Sequence, residues 1–258
     1  MRYPLLDPLR GLAAVWVFLH HLVYTFDASA APGLLRLGYF GVPMFFVISG
    51  FCLTAAGRRA VQTRDVPERF LLRRGVRIYP PFWAAVGVAV AAYAVLPLIG
   101  PPVSAFEEHA RLAWRSVGAG EWLQVCTLAA GFRPTGELPW TKFGAVNLAF
   151  WTLAIEVQFY AVVWAAVRAG RWFYPLLAAV TLVSLPFAAS EAAFSSGWFL
   201  PFWPFFALGI GLYAALEHGA RSLRVRSRFR VAARCRVDGG RIGRGPADTG
   251  REPGDDGG

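Results

Sequence analysis

Six stretches of this sequence are almost unbrokenly apolar: Leu9–Phe26, Gly38–Ala56, Phe82–Ile99, Val146–Val167, Trp172–Ala189 and Trp198–Leu216. A helix needs about 20 mainly apolar residues to cross the hydrocarbon core of a bilayer, and each stretch comes close. Lipid offers no partner for bare backbone N–H and C=O groups, so a spanning segment is either a helix or a strand of a closed barrel. None of the six shows the in–out alternation that barrel strands require. The pattern predicts an all-α protein, a polytopic transmembrane bundle of about six spans. A shorter apolar stretch, Trp122–Phe132, cannot span and reads as an interfacial or re-entrant piece.

The polar connectors set an orientation. Between the second and third stretches lie Arg58, Arg59, Arg64, Arg69, Arg73, Arg74 and Arg77, opposed only by Asp65 and Glu68. Cytoplasmic loops carry such an excess of arginine and lysine. With that connector inside, Met1–Pro8 lies inside, Asp27–Leu37 and Gly100–Ala145 outside, Arg168 and Arg171 inside, and Ser190–Gly197 outside. A competing reading takes Arg2, the first apolar run and Ala28-Ser29-Ala30 as a cleaved signal peptide. Beyond residue 216 the composition switches abruptly to arginine, glycine, aspartate and proline, with little to bury. Residues 1–216 thus form the expected membrane domain, and 217–258 a disordered cytoplasmic tail, a switch that a frameshift would also produce.

Composition supports the membrane reading. Charged residues make up 16% of the chain, against about 25% in a typical soluble domain. The aromatic share of 15% suits side chains at lipid and interface. The formal charge of +10 comes without a basic helix or aromatic nucleic-acid motif, so no nucleic-acid partner is expected. The three cysteines, Cys52, Cys126 and Cys235, give neither a disulfide framework nor metal-ligand spacing.

Ionisable groups inside a membrane helix are costly, which makes each a functional candidate. Arg10 and His21 lie on the first stretch, eleven residues apart. On a helix they fall within roughly 20° of one face and about 16 Å apart along the axis. The face presents a cation near the inner end and an imidazole further out, an arrangement for gripping an anion and moving a proton. Snorkelling of Arg10 to lipid phosphates is the alternative. His20 points about 100° away and reads as packing or support. Glu156 sits near the middle of the fourth stretch, where a carboxylate must be protonated, paired or facing a water-filled cavity. Its expected partners are Arg10, His21 or the arginines before the third stretch. Arg74 and Arg77 share a face if their segment is helical, and guanidinium forks match phosphate geometry, whether of lipid head groups or of a phosphorylated cofactor. Pro80 and Pro81 are expected to start the third helix. Pro43 is expected to kink the second, and Ser49 and Gly50 to allow close helix approach.

Four segments together resemble the membrane-bound acyltransferase-3 family, bacterial O-acyltransferases that modify surface polysaccharides. Leu6-Asp7-Pro8-Leu9-Arg10-Gly11-Leu12-Ala13-Ala14 followed by His21 is similar to the family's opening. Gly41 to Phe51 resembles its second-helix signature. Arg73-Arg74-Gly75-Val76-Arg77-Ile78-Tyr79-Pro80 resembles its paired-arginine motif. Trp151-Thr152-Leu153-Ala154-Ile155-Glu156-Val157-Gln158-Phe159-Tyr160 is similar to its tryptophan-to-tyrosine stretch, with Thr152 where serine is usual.

The resemblance implies transfer of an acyl group, commonly acetyl, from cytoplasmic acyl-CoA to a hydroxyl of a glycan or lipid-linked sugar. The site would be a multi-pass protein of the bacterial inner membrane with a cytoplasmic N-terminus. Acyl-CoA is a donor substrate, and no permanently bound cofactor or metal is implied. His21 would be the general base, Glu156 would orient the imidazole or bind the acceptor, and Arg10, Arg74 and Arg77 would meet the CoA phosphates. His20, Ser49, Trp151 and Tyr160 would support them. Family members usually carry more spans, so this chain reads as a truncated form. The alternatives are an inactive fragment and a transporter or channel lined by the buried arginine, histidine and glutamate. A transporter predicts an internal repeat of spans, and none is visible.

Overall fold

A computed structural model describes residues 5–26, 32–101, 117–129, 150–188 and 197–219. The proposed cleavage site at Ala28-Ser29-Ala30, most of the Gly100–Ala145 connector and the tail from residue 220 lie outside the described residues. Among the described residues the chain is helical, with no strand. The helices are α1 (Leu6–Phe26), α2 (Gly33–Arg36), α3 (Gly41–Gln62), α4 (Pro67–Ile99), α5 (Ala119–Cys126), α6 (Phe150–Arg168), α7 (Phe173–Ser184) and α8 (203–219). By chain contacts Met1–Tyr213 forms one compact unit and Ala214–Gly258 a second, of which only the helical stretch 214–219 is described.

Among the described residues four helices are long and apolar enough to cross a membrane: Gly33–Gln62, Pro67–Ile99, Phe150–Arg168 and Leu200–Gly219. The other two expected spans are helical but shorter in apolar length. The apolar part of α1 is Pro8–Val23. The 12-residue α7 ends where Leu185-Pro186-Phe187 tightens into a 3-10 turn, because a proline supplies no N–H to continue the ladder.

Pro43 sits in the first turn of α3, directly after the 3-10 stretch Leu37–Phe40. One expectation about prolines is corrected. Pro80 and Pro81 do not begin α4. That helix starts at Pro67 and runs 33 residues through both. Tertiary packing overrides the lost backbone bonds. Phe70, Ile78, Phe82 and Val86 are buried at multiples of four residues, the spacing of one helix ridge, and the Phe82 ring meets Phe150 of α6 edge-on at 5.0 Å.

The core lies where α3, α4 and α6 meet, and α8 closes it through aromatic rings. Phe159 of α6 contacts Phe46 of α3 at 5.3 Å and Phe206 of α8 at 4.4 Å. Two glycines let α3 and α8 cross with backbones touching. A Cβ on Gly50 would strike the Phe206 carbonyl, and one on Gly209 would strike the Val47 carbonyl. In a bilayer such small-residue crossings draw their energy from close packing and not from expelled water. Buried Gln158 ties α6 to the turn before α8, donating to the Gly197 carbonyl at 3.0 Å and accepting from the Phe199 N–H at 3.1 Å. The Trp203 indole donates to Thr181 Oγ1 of α7 at 2.9 Å. Arg58 of α3 stacks on Tyr174 at 5.0 Å from the ring centre.

The short helix α5 belongs to the expected interfacial piece. Its carbonyl end docks on α4. Tyr79 donates to the Thr127 carbonyl at 3.0 Å, and the Trp83 indole to the Cys126 carbonyl at 2.9 Å. These bonds satisfy helix-end acceptors that would otherwise lack partners. Val125 and Leu128 are fully buried beneath them.

Candidate active site

The paired arginines lie on α4 at two different levels of burial. Arg74 falls on the same four-residue ridge as Phe70, Ile78, Phe82 and Val86, so the helix carries it toward the core. It is half-buried, and its guanidinium lies 5.7 Å from the Phe70 ring centre. Arg77 is exposed one turn on, and Arg73 faces out to pair with Asp65 at 2.6 Å.

α6, which packs against α4 through Phe150 and Phe82, presents Glu156 and Tyr160 one turn apart on a shared face. Tyr160 donates its hydroxyl to Glu156 Oε1 at 2.8 Å. Ser49 of α3, buried beside Gly50, donates to the same oxygen at 3.2 Å. The structure thus joins Ser49, Glu156 and Tyr160 by hydrogen bonds, while Arg74 packs over Phe70 on α4 and Arg77 is exposed. The partners of Glu156 are hydroxyls from its own helix and from α3, where the sequence suggested Arg10, His21 or an arginine.

The two histidines lie on α1, against a different part of the bundle. His20 is half-buried. Its Nδ1 pairs with the Leu35 carbonyl at 3.0 Å and its ring packs edge-on to Tyr39 at 6.0 Å. Gly38 makes room for it, since a Cβ there would meet the His20 side chain. His21 is exposed, with Nδ1 2.8 Å from the Val17 carbonyl one turn back and its ring 5.6 Å from that of His20. A carbonyl can only accept, so Nδ1 carries the hydrogen. Arg10 is half-buried on the same helix. Trp151 lies at the start of α6, 5.2 Å from the Phe202 ring and 6.5 Å from that of Phe46, within an aromatic cluster.

Sequence reading missed Gln158. A buried amide in an apolar span must be bonded, and its place two residues beyond Glu156 was a signal for that role.

The acyltransferase-3 family, described as an acyltransferase domain, matches this chain over residues 3–233. Protein 2 in the picA locus of Rhizobium radiobacter is 31% identical over 195 residues, covering 74% of this chain and 96% of that protein. A putative membrane-bound transacylase, BcsY, of Komagataeibacter xylinus is 29% identical over 162 residues, 61% of this chain and 35% of the relative. The exopolysaccharide production protein ExoZ of Rhizobium meliloti is 33% identical over 141 residues, 54% of this chain and 36% of the relative. The chain therefore spans little more than a third of the length of the last two. No solved structure gives a significant match. Helices apolar enough to span a bilayer, and a family match that covers most of their sequence, lead to one assignment: the chain belongs to the acyltransferase-3 family of multi-pass membrane acyltransferases.

Proposed function

We propose that this protein moves an acyl group, acetyl in the first instance, from acyl-CoA at the cytoplasmic face of the bacterial inner membrane to a hydroxyl of a glycan or lipid-linked sugar. The observation that supports the reading is the Ser49–Glu156–Tyr160 group in the seam between α3 and α6, beside an α4 that packs against α6 and carries Arg74 half-buried on its apolar ridge. A guanidinium committed to the interior suits a phosphorylated donor, with Arg77 beside it and Arg10 on α1 as further cations. The arginine-rich connector from Arg58 to Arg73 supports a cytoplasmic location for this end of the bundle and for the N-terminus. Similarity to ExoZ, an exopolysaccharide production protein, supports a glycan acceptor.

His21 serves as general base. With Nδ1–H given to the Val17 carbonyl, Nε2 holds the lone pair. It takes the proton of the acceptor hydroxyl as the oxygen attacks the thioester carbonyl. The new C–O bond forms, the C–S bond breaks, and the leaving thiolate receives the proton from the imidazolium. A positioned base of this kind contributes about 10²–10⁴-fold. Glu156, Ser49 and Tyr160 organise the donor side of the seam. His20 fixes α1 against Tyr39, and Trp151 lines the aromatic cluster at the outer end.

The test incubates membranes bearing the protein with labelled acetyl-CoA and then releases the label with mild base. Base-labile label is expected from wild type and a loss of at least about a hundredfold from His21→Ala. No base-labile label from wild type would refute acyl transfer. An unchanged rate in His21→Ala would refute the base assignment.

A further inference from the structure

The segment between α1 and α3 is pinned to α1 along its length. The Trp16 indole donates to the Leu34 carbonyl at 2.8 Å, and His20 Nδ1 pairs with the Leu35 carbonyl at 3.0 Å. Gly38 and Gly41 approach α1 so closely that a Cβ on the first would strike His20 and the Trp16 carbonyl, and one on the second would strike Val17. These contacts hold the 3-10 stretch Leu37–Phe40 against the helix that carries His21.

Two rings stand on that stretch. Tyr39 and Phe40 stack on each other at 4.3 Å, yet they stay 50% and 48% exposed. Tyr39 also meets the His20 ring at 6.0 Å, and His20 meets His21 at 5.6 Å. The four rings form a continuous file, with the proposed base at one end and an open aromatic face at the other. An aromatic side chain that only anchors at the lipid interface needs no such bracing, because its amphipathic ring sits at the headgroup level in many orientations. Bracing serves a ligand, since a group fixed in advance loses less freedom on binding. The face of an aromatic ring is negative. The C–H groups on one side of a pyranose carry partial positive charge, and its hydroxyls project around the rim. Such a sugar lies flat on the ring and leaves its hydroxyls free to meet a base.

We propose that Tyr39 and Phe40, braced by His20, form a sugar subsite for the acceptor. A pyranose unit stacks on this face, and a hydroxyl of that unit or of the next one along the glycan reaches Nε2 of His21. This rests on the reading of His21 as the base for a glycan acceptor. The sugar contact itself is read by binding, without turnover.

The experiment places the purified full-length protein in nanodiscs of phosphatidylethanolamine and phosphatidylglycerol. Saturation-transfer NMR then follows binding of methyl β-D-glucoside, methyl β-D-galactoside and methyl α-D-mannoside, with cyclohexanol as a ring that lacks the sugar hydroxyls. At least one glycoside should bind wild type, with the strongest transfer to the C–H protons of one ring face. Tyr39→Leu keeps an apolar side chain but has no π face, and should weaken that glycoside by about fivefold. Tyr39→Phe keeps the face and should hold binding within about twofold of wild type. In turnover with acetyl-CoA, Tyr39→Leu should raise KM for the glycoside and leave kcat nearly unchanged.

Equal glycoside binding by wild type and Tyr39→Leu would overturn the proposal, as would binding of none of the three sugars. Cyclohexanol binding that depends on Tyr39 as strongly as the glycoside does would overturn it too, because the rings would then be a plain apolar surface. Should Tyr39→Leu misfold, Phe40→Leu reads the same face, and no loss of glycoside binding there refutes the subsite. Glycoside binding that depends on Tyr39 in a protein that transfers no acetyl group defeats the reaction reading and keeps the subsite. Acetyl transfer to a glycoside with a KM indifferent to Tyr39→Leu keeps the reaction and defeats the subsite.

Discussion

Replacing Gly209 with alanine tests whether α3 and α8 cross with backbones in contact. A Cβ at Gly209 would lie 2.6 Å from the Phe51 nitrogen and 3.0 Å from the Gly50 carbonyl carbon, with the Val47 carbonyl nearer still. Ordinary contact begins near 3.4 Å, so relieving the Phe51 clash alone requires about 0.8 Å of separation (3.4 less 2.6), a gap that forfeits a quarter to a half of each contact's attraction. All three obstacles are backbone atoms, which no rotamer change can remove. Overpacking of this kind costs about 1–3 kcal/mol, and a clash with backbone on both sides puts Gly209→Ala near the upper end. For a chain of this size that is a fall in melting temperature of about 5–10 °C in detergent. Gly211 is the control. Nothing lies within 4 Å of a Cβ there, so Gly211→Ala should be neutral or slightly stabilising through helix propensity. Equal melting temperatures for Gly209→Ala and wild type would refute the close crossing.

Other outcomes follow from the polar contacts. Arg64 ends α3 with φ at 51°, a left-handed residue, while Asp65 N–H bonds back to the Ala60 carbonyl. Arg64→Gly should therefore raise stability by about 1 kcal/mol, read as a higher melting temperature. The hydrogen bond from Arg73 holds the Asp65 carboxyl below its ordinary range, assisted by the charges of Arg73 and Arg69. A lowered folded-state value contributes stability that is present above the unfolded value and lost as pH falls through the folded one. Wild type should thus lose a small increment of stability below about pH 4 that Asp65→Asn lacks at every pH, and matching pH profiles would contradict the pair. Trp83→Phe together with Tyr79→Phe removes the two donors to the end of α5 and should cost about 1 kcal/mol each, seen as faster hydrogen exchange in residues 119–128.

The helical nature of the apolar stretches was legible in the sequence, because lipid leaves so few alternatives for the backbone. Arg74 was legible in hindsight more fully than it was read. It falls at the four-residue spacing of Phe70, Ile78, Phe82 and Val86, which distinguishes it from Arg73 and Arg77. Taking Pro80 and Pro81 as the helix start hid that register. Ser49 and Gly50 announced a close approach, but only the fold supplies Gly209 and Phe206 as what is approached. The partners of Glu156 depend on how α3 and α6 are rotated about their axes. Spans apolar on every side carry little rotational information, so Ser49 and Tyr160 could be named as supports without their common oxygen. Nothing in the sequence indicated that Trp83 and Tyr79 would capture the carbonyl end of a short helix nearly fifty residues away.

The central claim is that the seam of α3, α4 and α6 receives the donor. A structure of the purified protein with CoA bound tests it most directly. The account predicts phosphate density within hydrogen-bonding reach of Arg74 and Arg77, with the thiol end directed into the membrane. Phosphates bound elsewhere on the protein, with Arg74 touching no ligand, would contradict it.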